Sequence, residues 1–92
     1  MRVASRIRAK LTAALAPERL EIIDESHHHA GHAGARPGGE THFRVEIVSA
    51  AFEGQPRILR QRRVHEILSD ELKSNIHALS LVTLTPAEAV RS

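Results

Sequence analysis

The sequence predicts a two-layer α+β domain in which helices cover one face of a three-stranded sheet. Apolar residues recur at helical spacing in some segments and alternate with polar residues in others, so both element types are expected. The predicted order is helix, strand, strand, helical region, strand and short terminal helix. With 92 residues, 41% of them hydrophobic, the chain is expected to fold as one domain over residues 1–92.

The first half of the sequence predicts a helix over residues 1–16. The helix is expected to end at Pro17, because proline cannot donate a backbone hydrogen bond. The apolar stripe of this helix consists of Val3, Ile7, Leu11 and Leu15. Strands are predicted over residues 20–26 and 41–49, and in the second strand apolar and polar side chains alternate over residues 42–47. Residues 27–40 contain four of the five glycines and no large apolar side chain, so they are predicted to form a loop.

The second half predicts a turn that ends at Gly54 and a helix that opens at Pro56. The apolar face of this helical region consists of Val64, Ile67, Leu68 and Leu72. In a regular helix Arg57 and Arg60 would lie on the same apolar face. We therefore expect a break near residue 60, or a first turn that overhangs the edge of the core. Asn75 is expected to end the region, because asparagine tolerates the left-handed conformation found at helix ends.

The last strand is predicted over residues 77–84, and the preceding helical connection permits it to pair in parallel with the second strand. Thr85 and Glu88 have the spacing of a capping box, with Pro86 at the first helical position. A short terminal helix is therefore expected to begin there.

The composition excludes several classes of function. The chain has no cysteine, so it has no disulfide framework, thiol nucleophile or thiolate ligand of its own. No apolar run has the length of a membrane span or the form of a signal peptide, so we expect a cytoplasmic chain. Without an Arg/Ser-rich transit extension, a bacterial cytoplasm is expected over a mitochondrial matrix. The net charge is only +2, whereas the seven histidines indicate metal binding or proton chemistry; the alternative is that most of them are simply solvated. Without a nucleophile or convergent carboxylates, no enzymatic activity is expected.

Several motifs, in the same order along the chain, resemble the BolA family. They are Asp24-Glu25-Ser26, Thr41-His42-Phe43, Phe52-Glu53-Gly54, Arg60-Gln61-Arg62 and Ile76-His77-Ala78-Leu79. One departure is Gln61, because the family commonly has histidine between the two arginines. The resemblance covers nearly the whole chain and implies a fold like class II KH domains, in α-β-β-α-α-β order. It also implies a partner, a monothiol glutaredoxin, with which BolA-like proteins share a two-iron, two-sulfur cluster.

The same resemblance implies that histidine from this chain joins the glutaredoxin cysteine and a glutathione thiolate as cluster ligands. Imidazole can replace thiolate on one iron, and a chain without cysteine can supply only nitrogen. His77 matches the family histidine at the start of the last strand and is the first candidate ligand. The alternative is a half-buried histidine bonded to the backbone at a strand edge. The isolated chain, a monomer or weak homodimer, is expected to hold no cluster.

The predicted loop contributes a second group of candidate ligands. His29 matches the family's loop histidine, His27 and His32 rank below it, and His28 ranks last. The alternative is a His-rich tract that binds metal without specificity. The two other histidines, His42 and His65, are expected on solvated faces.

An alternative function is a DNA-binding transcriptional regulator of stress response and cell morphology, which the resemblance also implies for some members. Four arginines could contact phosphates from the helix-turn-helix-like segment 52–68, namely Arg57, Arg60, Arg62 and Arg63. The other interpretation of this run is an ordinary solvated helix face.

Overall fold

The structure, a computed structural model, describes residues 3–25 and 41–91. The elements within these residues are α1 (Val3–Leu15), β1 (Arg19–Asp24), β2 (His42–Val48), a 3-10 helix (Ala50–Phe52), α2 (Arg57–Ile67), α3 (Ser69–Ser74), β3 (Ala78–Leu84) and α4 (Pro86–Arg91). This confirms the predicted order and fold class. None of the helices in the described residues is both long and apolar enough to cross a membrane. The predicted loop 27–40 lies outside the described residues.

The sheet has the order β1-β2-β3, so β2 is the central strand. β1 pairs with it antiparallel, with Ile22 opposite Val45. β3 pairs with it in parallel, with Leu81 opposite the same Val45. The parallel pairing that the helical connection permits is therefore present, and it brings the starts of β2 and β3 side by side.

The core lies between the sheet and the helices on one face of it. Alternate residues of β2, namely Phe43, Val45 and Ile47, are at most 1% exposed, as period-two alternation requires. They belong to one buried cluster with the α1 stripe of Val3, Ile7, Leu11 and Leu15. The helix α1 ends at Leu15, one residue before the predicted end, because Ala16 takes a positive φ of 43° directly before Pro17.

Of the two alternatives stated for the start of this helix, the break near residue 60 is wrong, whereas a first turn that overhangs the edge of the core agrees with the exposure of residues 57–59. α2 runs without interruption through Arg60, and the break comes at Leu68, whose φ of −99° and ψ of 17° end α2 and begin α3. Arg60 can lie on the apolar face because its guanidinium finds polar partners inside the protein, as described below. Pro56 is the N-cap of α2 and not its first helical residue.

The left-handed conformation expected at Asn75 is also absent, since its φ is −124°. The residue does follow the end of α3, but other groups stabilise it there. Its backbone N–H donates to the carbonyl of Glu71 at 2.8 Å, and its side-chain oxygen accepts a hydrogen bond from Arg6 Nη1 at 3.3 Å. Contacts with α1 thus replace the local conformation that the sequence suggested.

The terminal helix starts with the predicted capping box. The backbone N–H of Glu88 donates to Thr85 Oγ1 at 3.2 Å, and the N–H of Thr85 donates to Glu88 Oε1 at 2.8 Å. Each side chain therefore satisfies a backbone donor that the first turn of α4 would otherwise leave unpaired.

Candidate functional site

His77 lies at the bend directly before β3, which begins one residue later than predicted. Its backbone N–H donates a hydrogen bond of 2.7 Å to the carbonyl of Thr41, and the N–H of Ala78 donates to the same oxygen at 3.3 Å. The preceding residue, Ile76, is only 4% exposed and belongs to the core. His77 itself is exposed. The fold therefore holds this exposed imidazole on a fixed stretch of backbone.

A second imidazole lies beside it. The ring centroids of His42 and His77 are 6.2 Å apart, and the rings meet edge to face at 70°. His42 is half-buried, and its Nδ1 forms a hydrogen bond of 2.9 Å with Thr41 Oγ1. The prediction that His42 simply lies on a solvated face missed this contact. The signal that could have found it is the parallel register, in which His42 pairs with Ala78, the neighbour of His77.

Within the described residues, the histidines do not belong to a ready-made metal site. Residues 3–25 and 41–91 contain no group of three His, Asp or Glu side chains arranged to hold a metal ion. An exposed imidazole on a fixed backbone can instead complete the coordination of a metal whose other ligands belong to a partner. The remaining candidate ligands, His27, His28, His29 and His32, lie outside the described residues.

The arginine run does not form one solvent-facing surface, which corrects the interpretation of Arg60 as a phosphate contact. Arg60 is only 8% exposed, and its guanidinium lies 5.9 Å from the centre of the Phe52 ring. Its Nε donates to the carbonyl of Gln55 at 2.8 Å, and its Nη1 donates to the carbonyl of Thr83 at 3.0 Å. The other three arginines differ in exposure, with Arg57 and Arg62 exposed and Arg63 half-buried.

Arg60 also makes an ion pair with Glu88, across a distance of 2.7 Å from Nη1 to Oε1. The hydrogen bond from Arg60, followed by the one from the backbone of Thr85, lowers the pKa of Glu88 to about 2. This pair joins α2 to α4, so Arg60 connects three segments of the chain. A helical wheel could not predict that Arg60 connects these segments, because it shows only the position of the arginine on its own helix.

A second ion cluster joins α1 to α3. Glu71 has no exposed side-chain surface, and Lys10 Nζ donates a hydrogen bond of 2.8 Å to its Oε1. Arg6 Nη2 lies 2.9 Å from Oε2 as an ion pair without hydrogen-bond alignment. Burial raises the pKa of Glu71, but the hydrogen bonds and the two cations outweigh it and leave the pKa below its ordinary value. The cluster is structural, since the buried carboxylate of α3 is paired with two cations of α1.

The fold and the site together define a small α+β domain that offers histidine from the start of two parallel strands. The family model described as BolA-like protein matches residues 11–88, and the chain belongs to that family. The resemblance of the separate motifs is thereby confirmed over most of the chain.

Named relatives show the same family in different settings. The chain is 52% identical over 87 residues to SufE-like protein 1, a chloroplastic/mitochondrial protein of Arabidopsis thaliana; the match covers 90% of this chain and 24% of the relative. It is 41% identical over 88 residues to the DNA-binding transcriptional regulator BolA of Escherichia coli, covering 96% of this chain and 80% of the relative. The chain thus spans about a quarter of the first relative. The name of the plant relative places it in chloroplasts and mitochondria, whereas the other relative belongs to a bacterium.

A solved structure confirms the fold. BolA1 from Arabidopsis thaliana superposes with a TM-score of 0.81 at 46% sequence identity, and the match covers 92% of this chain and 93% of that one. The α+β architecture with three strands is therefore shared with a solved member of the family.

Proposed function

We propose that the chain is a non-enzymatic adaptor that binds a monothiol glutaredoxin and shares a two-iron, two-sulfur cluster with it. Its role would lie in iron–sulfur cluster trafficking or in iron and redox regulation. The observation that carries the proposal is the exposed imidazole of His77, held on a backbone bonded to Thr41, in a chain that has no cysteine.

The chemistry divides the ligands between the partners. Iron–sulfur clusters require soft thiolates, which the glutaredoxin cysteine and glutathione supply in this proposal. This chain contributes nitrogen, since imidazole can replace thiolate on one iron. The backbone of His77 is already fixed, so binding has to order only the side-chain torsions of the imidazole and costs less conformational entropy. His29, with His27 and His32 below it, is proposed as an auxiliary ligand from the loop.

The test mixes the chain with a monothiol glutaredoxin that carries the cluster and glutathione, and it records visible circular dichroism. The wild-type chain is expected to change the spectrum of the glutaredoxin. With His77→Ala, the mixture should give the same spectrum as cluster-loaded glutaredoxin by itself, while the apo variant stays folded. His65→Ala is the matched control, because it removes an exposed histidine from α2. A wild-type spectrum from His77→Ala would contradict the proposal.

A second candidate function, DNA binding, is favoured by the E. coli relative named a DNA-binding transcriptional regulator. In this proposal the exposed Arg57 and Arg62 of α2 contact phosphates, with Arg63 at the edge of the surface. Replacing Arg57 and Arg62 with alanine should reduce the slope of log affinity against log salt by about 0.9 per lost contact. Arg8→Ala removes one positive charge from the exposed side of α1 and serves as the control for each single arginine variant. Equal salt slopes for all these proteins, measured by fluorescence anisotropy, would rule this surface out.

A further inference from the structure

We propose that His42 is a positioning residue for His77, and that its ring sets the orientation in which His77 meets a partner-held iron. This inference rests on the proposed cluster-sharing function. It assigns a role to a histidine that the sequence alone placed on a solvated face.

Thr41 connects the two histidines. It is buried, at 9% exposure, and lies directly before β2. Its backbone carbonyl accepts the hydrogen bond from the N–H of His77 at 2.7 Å. Its hydroxyl oxygen is joined to Nδ1 of His42 by a hydrogen bond of 2.9 Å. One buried residue therefore holds both the backbone of His77 and the ring of His42.

The contact between the two rings restricts the side chain of His77, because the ring of His42 is itself held by Thr41. The centroid distance of 6.2 Å and the edge-to-face angle of 70° lie within the range in which aromatic rings attract each other. His42 is half-buried and held by Thr41, whereas His77 is exposed, so His42 is the better-fixed member of the pair. Its ring therefore limits the rotation of the His77 imidazole before any partner arrives.

Orientation matters because the iron would be held by another protein. Ligands must lie within about 0.5 Å of the productive geometry, and a partner-held cluster cannot move far to meet a misplaced ring. In metal sites generally, removing a residue that orients a ligand lowers metal affinity by about 10–100-fold. A similar loss is expected here when the His42 ring is removed.

The experiment compares the wild-type chain with His42→Ala, His42→Phe, His77→Ala and the control His65→Ala. Each is titrated with cluster-loaded monothiol glutaredoxin and glutathione, and the dissociation constant and the saturated visible circular dichroism spectrum are recorded. NMR relaxation of the His77 ring in the apo chain gives a readout that needs no cluster. Amide spectra confirm that each variant is folded.

His42→Ala is expected to weaken binding about 10–100-fold, to keep the wild-type spectrum at saturation, and to increase the motion of the His77 ring. His42→Phe keeps a ring edge and should restore part of the affinity and of the order. If His42→Ala had the affinity and the His77 ring motion of the wild-type chain, the positioning role would be overturned. It would also be overturned if His42→Phe restored neither the affinity nor the ring order that His42→Ala loses. A saturated spectrum changed as in His77→Ala would make His42 a ligand and overturn positioning. A wild-type spectrum from His77→Ala would instead overturn the proposed function itself.

Discussion

Replacing Arg60 with alanine tests whether this arginine is part of the structure or part of a nucleic-acid surface. The guanidinium is buried and donates to the carbonyls of Gln55 and Thr83, and both acceptors would lose their partner. Leaving a buried polar group unpaired costs about 1–3 kcal/mol. Water can reach part of the space that the shortened side chain leaves, so we expect a loss of about 2–4 kcal/mol for the two acceptors together.

The assay is urea unfolding, supported by thermal melting. For a domain of this size the loss corresponds to a melting temperature lower by roughly 10–30 °C. Arg62→Ala is the matched control, because Arg62 is exposed on the same helix and its removal should change stability by less than about 0.5 kcal/mol. Equal free energies of unfolding for the two variants would refute the reasoning. They would favour the alternative that Arg60 belongs to an ordinary solvated helix face.

Three further predictions follow from the ion pairs and the ligand set. Glu71→Gln should cost about 1–3 kcal/mol in urea unfolding, because Arg6 and Lys10 lose their buried carboxylate, whereas the exposed Asp70→Asn should cost less than about 0.5 kcal/mol. The folded-state pKa of Glu88 is lowered to about 2 from an ordinary 4.5, so its contribution to stability is present above pH 4.5 and is lost as the pH falls towards 2. Glu88→Gln should therefore flatten the melting temperature against pH in that window; an unchanged profile would contradict the pairing. Finally, the isolated chain should form no stable coloured cluster with iron and sulfide in the absence of a thiol partner, and absorption spectra would show it if it did.

The elements whose evidence lies in one stretch of sequence could be predicted. The apolar stripe of α1, the alternation in β2 and the capping box at Thr85 each depend on residues a few positions apart. Two of the errors in the helical region, the break near residue 60 and the left-handed conformation of Asn75, have a common cause, because both positions depend on contacts between distant segments. Arg60 finds a carbonyl on β3, and Asn75 finds Arg6 on α1. No helical wheel contains these partners.

The candidate site divides in the same way. His77 could be selected from a local motif and from its resemblance to the family. The contact of His42 with His77 depends on the register of two parallel strands, in which His42 pairs with Ala78. A shift of one residue would move His42 to the other face of the sheet. Prediction of strand order alone therefore could not bring the two imidazoles together.

The positions of Arg60 and His77 also separate stability from ligand binding. Arg60 bonds to Thr83 near the end of β3, whereas His77 directly precedes its first residue. Six residues of extended strand span about 20 Å, so the two sites cannot touch. An Arg60 variant that remains folded should consequently give the wild-type spectrum with cluster-loaded glutaredoxin, while His77→Ala should lose that spectrum at little cost in stability. The opposite pattern would mean that the cluster responds to folding of the whole domain and not to the imidazole at the start of β3.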